Sequence, residues 1–298
     1  MELGLIGLGK MGYPLALNMR EKGHRVIAFS RSAERAAAYN SAGLEGTADL
    51  NQLVEALGGR KIIWLMVPAG EAVDEMIDEL LPLLAEQDIL IDGGNSHYRD
   101  SVRRAAKAGQ QGIYYVDAGI SGGPSGARSG ACMMVGADQG VYQYLQPLLT
   151  DICQPGGCLR AGENGAGHYA KMIHNGIEYG MMQAIAEGFE LLEKGPYDYD
   201  YGALARLWNN GSVIRSWLIE LTGRLFENDP GLDKIRGVVG SSGTGLWTVE
   251  EALSRKVPVP VIAQALFARY SSEDDNAFSA RLLAALRREF GGHEVEEA

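Results

Sequence analysis

Leu3-Gly4-Leu5-Ile6-Gly7-Leu8-Gly9-Lys10-Met11-Gly12 is the stretch on which the reading of the amino-terminal half turns. The apolar run Leu3–Ile6 enters a G-x-G-x-x-G, and Pro14–Glu21 continues with helical patterning. The glycine spacing alone is common; a strand before it and a helix after it supply the context that the motif requires. In that setting Gly7 permits a tight turn, Gly9 the approach of a pyrophosphate, and Gly12 close packing of helix on strand. The diphosphate then rests on amides at the helix N-terminus, with Leu8, Lys10 and Met11 lining the same loop. The alternative is a glycine turn without a ligand.

Working outward, short apolar runs alternate with helical patterns. Leu3–Ile6, Arg25–Phe29, Lys61–Val67, Ile89–Asp92 and Tyr114–Asp117 read as strands; Pro14–Glu21, Ala33–Ser41, Glu71–Leu84 and Tyr98–Ala108 read as helices. Such alternation specifies right-handed βαβ units and a parallel, doubly wound sheet. Gly122-Gly123 and Gly156-Gly157 punctuate the later part into loops and short strands. Beyond Gly165 the pattern changes: Ala166–Glu193 contains no proline and reads as one long helix, followed by helices over Tyr201–Leu207, Val213–Phe226, Val249–Ser254, Val261–Tyr270 and Asn276–Phe290. The expected class is α/β plus all-α. A Rossmann-type domain over 1–162 precedes an all-helical domain over 163–298, with the boundary near Arg160–Asn164.

The end of the second strand, where an NAD enzyme usually carries an acidic residue for the ribose hydroxyls, reads Phe29-Ser30-Arg31-Ser32, with no carboxylate before Glu34. Arg31 suits a 2′-phosphate and can stack on adenine, with Ser30 and Ser32 donating hydrogen bonds. The expected cofactor is NADP, with NAD the alternative. The bland reading makes Ser32 a helix cap and Arg31 a solvated side chain.

The 298 residues are 46% hydrophobic and 22% charged, a composition that can bury a core. The net charge of −11 argues against nucleic acid or an anionic membrane as partner, though not against a small anion in a local basic pocket. The start of the chain has no basic n-region, and no apolar run is long enough to cross a bilayer. Three cysteines without a CxxC fit reduced thiols in a cytoplasm. His24 and His97 read as surface or loop residues, and no metal site is expected.

Lys171, His174, Asn175 and Glu178 fall at i, i+3, i+4 and i+7 of the long helix, on one face. A solvated stripe is the ordinary explanation. A His-Asn pair between lysine and glutamate, with largely apolar flanks, gives an inward-facing stripe equal weight. Such a stripe offers a candidate base, provided burial or a cationic neighbour lowers the lysine, and a candidate acid.

The chain resembles the short bacterial form of the 6-phosphogluconate dehydrogenase family through essentially its whole length. Gly7–Gly12 is similar to the family's fingerprint, Ile91-Asp92-Gly93-Gly94-Asn95-Ser96 to its I-D-G-G-N-S segment, and Ser121-Gly122-Gly123 to its substrate loop. The most specific match is Lys171-Met172-Ile173-His174-Asn175-Gly176-Ile177-Glu178-Tyr179. Gly243-Thr244-Gly245, Phe267-Ala268-Arg269 and the tail Arg287…His293 also fit.

The resemblance implies oxidative decarboxylation of 6-phosphogluconate to ribulose 5-phosphate in the pentose phosphate pathway. Lys171 would be the general base at the C3 hydroxyl and Glu178 the acid that protonates C1. Asn95, Ser121, Gly122, Gly123, His174 and Asn175 would hold the sugar acid. Tyr179, Thr244, Arg269, Arg287 and His293 would hold the phosphate end and nearby hydroxyls, and Val67, Pro68, Ala69 and Asn95 would surround nicotinamide. It further implies a homodimer or dimer of dimers in which the tail completes the neighbouring site. The chain departs from longer members at Ser242, where they carry a lysine, at Pro124 and Ser125, and in its shorter helical part. A 3-hydroxyisobutyrate-type dehydrogenase shares the fingerprint, Ser-Gly-Gly loop and helix lysine, but is expected to lack His-Asn-x-x-Glu and the Arg/His tail. A noncatalytic NADP-binding sensor would have no reason to keep Lys171 and Glu178 together.

Overall fold

The computed structural model describes residues 1–232, 237–240 and 243–273. Eight strands form one sheet: β1 (Glu2–Ile6), β2 (Arg25–Phe29), β3 (Glu45–Thr47), β4 (Ile62–Leu65), β5 (Ile89–Asp92), β6 (Tyr114–Ser121), β7 (Ala131–Gly136) and β8 (Cys153–Gly162), in the order β3-β2-β1-β4-β5-β6-β7-β8. Pairings from β3 across to β6 are parallel. β7 turns back antiparallel to β6, pairing Asp117 with Gly136 and Ser121 with Cys132, and β8 runs parallel to β7.

The central strands read as unbroken apolar runs because helices cover both faces. Leu3, Leu5 and Trp64 enter a core on one side, and Ile6, Ile63 and Leu65 enter a core on the other. The intervening helices of this half are α1 (Gly12–Glu21), α2 (Ala33–Ser41), α3 (Leu50–Glu55), α4 (Glu71–Leu80), α5 (Tyr98–Gly109), α6 (Gly123–Ser129) and α7 (Gln139–Ile152).

Several sequence expectations need correction. α4 ends at Leu80, and Leu81–Leu83 tighten into a 3-10 turn around Pro82, since proline cannot donate to the helix ladder. The fourth strand is shorter than Lys61–Val67, whereas β6 runs past Asp117 to Ser121. β3 and α3 are too short to stand out from pattern alone. Gly156-Gly157 is no inter-strand loop: it lies in a bulge within β8, where Cys153 pairs with Ala131 but Cys158 already pairs with Met133. His24 is buried and lies 2.9 Å from the amino terminus through Nδ1 and 3.2 Å from Asp151 through Nε2, contrary to the surface reading.

The described residues beyond β8 form helices: α8 (Ala166–Glu193), α9 (Tyr201–Asn209), α10 (Trp217–Asn228), α11 (Thr244–Arg255) and α12 (Pro260–Ser272). α10 starts at Trp217 rather than Val213 because the Ser216 side chain accepts from the Ile219 amide and sets the cap. α11 begins five residues before Val249, just after Gly243 at φ 85°. By internal contacts the chain divides into units 1–173 and 174–298, and α8 contributes to both. The Asn276–Phe290 helix expectation lies outside the described residues.

Candidate active site

Gly7 connects β1 to α1 at φ 96°, where a side chain would be strained and its Cβ would stand 2.5 Å from the Met66 carbonyl oxygen. A Cβ on Gly12 would collide with the Gly7 carbonyl oxygen, so helix and strand meet backbone to backbone. A Cβ on Gly9 would meet nothing within 4 Å. The protein itself therefore does not demand the middle glycine, whereas an approaching diphosphate does. No side chain caps α1, which leaves the positive end of the helix to act on an anion. This cradle fits a dinucleotide.

At the end of β2 the structure gives both serines local duties. Ser30 Oγ accepts from the Ser32 amide at 3.2 Å, and Ser32 Oγ accepts from the Arg35 amide at 3.3 Å as the cap of α2. Each hydroxyl proton can still donate outward. Arg31 is not merely solvated: Nη2 donates to Glu79 Oε1 of α4 at 2.8 Å, with both side chains well exposed. Glu79 has no counterpart in the sequence expectation.

The β5–α5 connection hangs from Asp92, which is wholly buried. Its Oδ1 accepts from the Gly94 amide at 3.0 Å, and Oδ2 from Ser96 Oγ at 2.7 Å and from Tyr115 Oη at 2.9 Å. Asn95 is the exposed tip between these anchored neighbours. β6 ends at Ser121, and Gly122, at φ 109°, turns the chain into α6.

Helix α8 starts against β6. One carboxylate, Asp117, takes two amides of its first turn: Gly165 N donates to Oδ1 at 2.6 Å and His168 N to Oδ2 at 2.8 Å. A side chain 48 residues away in sequence thus does the work of an N-cap. Burial raises the Asp117 pKa, opposed by His168 and these two amides. His168 Nδ1 lies 2.7 Å from Ser101 Oγ, tying the same turn to α5. Lys171, one turn on, is buried, with its Cβ directly over Gly119 of β6.

The second unit carries the rest of the helix face. His174 Nδ1 lies 3.1 Å from Asn175 Oδ1 and 3.8 Å from Glu178 Oε2. Asn175 Nδ2 donates to Thr244 Oγ1 of α11 at 3.3 Å. The buried Tyr179 ring packs against Gly245, and the Arg269 guanidinium of α12 lies 3.4 Å from its centre. Three helices therefore bring His174, Asn175, Glu178, Tyr179, Thr244 and Arg269 together. Histidine, amide, carboxylate, hydroxyl and guanidinium groups in one cluster can bind a polyhydroxy anion.

A model of the NAD binding domain of 6-phosphogluconate dehydrogenase matches residues 2–162, and one of the 6-phosphogluconate dehydrogenase C-terminal domain matches residues 167–285. The chain belongs to the 6-phosphogluconate dehydrogenase family. A Bacillus subtilis protein provisionally named as a 6-phosphogluconate dehydrogenase is 48% identical over 297 residues, with 100% of both chains covered. An NAD(+)-dependent, decarboxylating 6-phosphogluconate dehydrogenase of Haloferax volcanii is also 48% identical, covering 99% of this chain and 98% of its own. The solved Plasmodium falciparum 6-phosphogluconate dehydrogenase, determined apo, with NADP+ and with 6-phosphogluconate, superposes with a TM-score of 0.86 at 32% identity. That match covers 100% of this chain and 66% of the longer one.

Arg287, His293 and Ser242 lie outside the described residues. Motif reading missed Asp117, Gly119 and Glu79. Asp117 left one signal, a carboxylate closing an apolar strand. Gly119 and Glu79 left none, because their roles arise from partners far away in sequence.

Proposed function

We propose that this protein oxidises and decarboxylates 6-phosphogluconate to ribulose 5-phosphate, reducing NADP. The observation that supports this reading best is Lys171, buried on β6 at Gly119 and two turns before Glu178 on one continuous helix. Seven residues of helix separate the two by about 10 Å along the axis, with both on the same face.

A bound nicotinamide supplies the hydride acceptor. Lys171 takes the C3 hydroxyl proton as the C3 hydrogen leaves with its electron pair. The resulting β-keto acid loses its carboxylate as carbon dioxide, and the charge that develops on the C3 oxygen is met by the Lys171 ammonium. Glu178 delivers a proton to C1. Asn175 and Thr244, joined by their hydrogen bond, and Arg269, held on the Tyr179 ring, bind hydroxyl and phosphate groups. NADP is favoured by Arg31 and by the lack of a carboxylate at the end of β2. NAD is the second reading, favoured by the Arg31–Glu79 pair, which occupies the guanidinium, and by the Haloferax volcanii relative's name.

The test is a coupled assay of purified protein with 6-phosphogluconate and either NADP or NAD, following reduced cofactor and carbon dioxide together. One carbon dioxide per hydride is expected, with both lost in a folded Lys171→Met variant. Turnover of 3-hydroxyisobutyrate but not 6-phosphogluconate would overturn the reading.

A further inference from the structure

Arg104 of α5 is a charged side chain with no exposed surface. Its Nη2 donates to the Gly70 carbonyl oxygen at 2.8 Å and to Asp74 Oδ2 at 3.1 Å, and Nε to Asp74 Oδ1 at 2.9 Å. Nη1 donates to Ser96 Oγ at 3.1 Å and to Asp92 Oδ2 at 3.3 Å. One guanidinium thus grips two loops. The first, Val67–Gly70, leaves β4; the second, Gly93–Ser96, leaves β5. A Cβ on Gly94 would stand 3.0 Å from the Val67 carbonyl oxygen, so the loops nearly touch.

A tether between α4 and α5 alone does not explain this burial. Removing a guanidinium from water carries a penalty on the order of several kcal/mol and needs full hydrogen bonding in return. The adjacent Arg103 already links the two helices from the surface, donating to Asp74 Oδ2 at 2.9 Å. What Arg104 adds is the reach to Gly70 and Ser96, both on loops at the carboxyl ends of strands.

Those loops lie where the reactive end of the cofactor belongs. In an open doubly wound sheet the dinucleotide crosses the carboxyl ends of the strands, with its diphosphate at the loop after β1. Arg31 marks the β2 side for the adenosine half, which leaves the β4–β5 side for nicotinamide. We infer that Arg104 is a positioning residue: it fixes the spacing of the Val67–Gly70 and Gly93–Ser96 loops and so the width of the nicotinamide slot and the placement of Asn95. The inference rests on the dehydrogenase reading for turnover, but not for cofactor binding.

The experiment compares wild type with Arg104→Lys, which keeps the charge but cannot bridge the same acceptors, and with Ser96→Ala, which removes one arm of the clamp. Calorimetry measures binding of 2′-phospho-ADP-ribose, which lacks nicotinamide, and of intact NADP. Arg104→Lys is expected to bind the fragment within about twofold of wild type and NADP about tenfold more weakly, with kcat reduced by about 10²-fold from misplacement of the reacting carbon. Ser96→Ala should show the same split at smaller size. Equal weakening of fragment and dinucleotide, or unchanged NADP binding and turnover in folded Arg104→Lys, overturns the proposal. Should Arg104→Lys fail to fold, absence of the split in Ser96→Ala overturns it equally. A wild type that binds NADP without turning over 6-phosphogluconate would instead count against the proposed reaction.

Discussion

The Cβ of Lys171 occupies the space that a side chain on Gly119 would need. The helix bearing the candidate base therefore lies against bare strand backbone, and its height above β6 is set by the lack of one methyl group. Gly119→Ala is expected to lift this turn of α8 and lower kcat by about 10²-fold, the effect of displacing a reacting group by roughly 1 Å. Steady-state assays on a variant with native circular dichroism check this; unchanged kcat would show that the contact does not position Lys171.

Arg31 and Glu79 supply a second test. Arg31→Ala should weaken NADP by about 1.5–3 kcal/mol, the range for a charge-assisted hydrogen bond, and scarcely touch NAD. Glu79→Gln should act in the opposite direction, freeing the guanidinium and tightening NADP. Binding isotherms for both cofactors decide it, and equal effects on NADP and NAD would remove Arg31 from 2′-phosphate recognition.

Asp74 predicts the acid limb of stability. The hydrogen bond from Arg104, then that from Arg103, hold its carboxyl well below its ordinary value of 3.8. A depressed folded-state pKa adds stability that is present above the unfolded value and lost as pH falls toward the folded one. Denaturant titrations of Asp74→Asn should show lower stability near neutrality and a shallower decline from about pH 5 to about pH 2 than wild type. Parallel curves would contradict the assignment.

Cys158 should be alkylated ahead of Cys153. Interaction with Cys153 lowers the Cys158 thiol from its ordinary value, and the same interaction pushes Cys153 upward. Tyr142 Oη also lies 3.8 Å from Cys158 Sγ. In a Cys132→Ser background, iodoacetamide labelling of Cys158 located by mass spectrometry should be half-maximal below the usual thiol value of about 8.5, and Cys153→Ala should move it up toward that value. Preferential labelling of Cys153 would reverse the pairing.

Much of this architecture was legible in the sequence because it rests on local pattern. The Leu3–Ile6 run and the Gly7–Gly12 spacing specify a strand, turn and helix without help from the rest of the chain, and the Lys171–Glu178 stripe follows from helical periodicity. The unread parts depend on distant partners. The continuation of β6 through Gly119 is stabilised by pairing with β7, which no window around Asp117 contains. The bulge at Gly156-Gly157 carries the same residues as a turn, and only the register against Ala131 and Met133 separates them. Arg31 reads as a lone cation until folding brings Glu79 beside it.

The reversal between β6 and β7 constrains how such a chain can grow or shrink. Had β7 joined the sheet in the direction of β6, the chain would leave it at the carboxyl ends of the strands, and a helix starting there would carry its lysine away from the cofactor loop. Because β7 runs back, the chain emerges toward the amino ends of the parallel strands, and α8 climbs past Asp117 and then Gly119. The α7–β8 unit that follows leaves this heading unchanged, since β8 copies the direction of β7. An insertion or loss of one whole helix–strand pair at this edge is therefore neutral with respect to the aim of Lys171. A change of a single strand is not, and the edge of this sheet is free to vary only in steps that preserve parity.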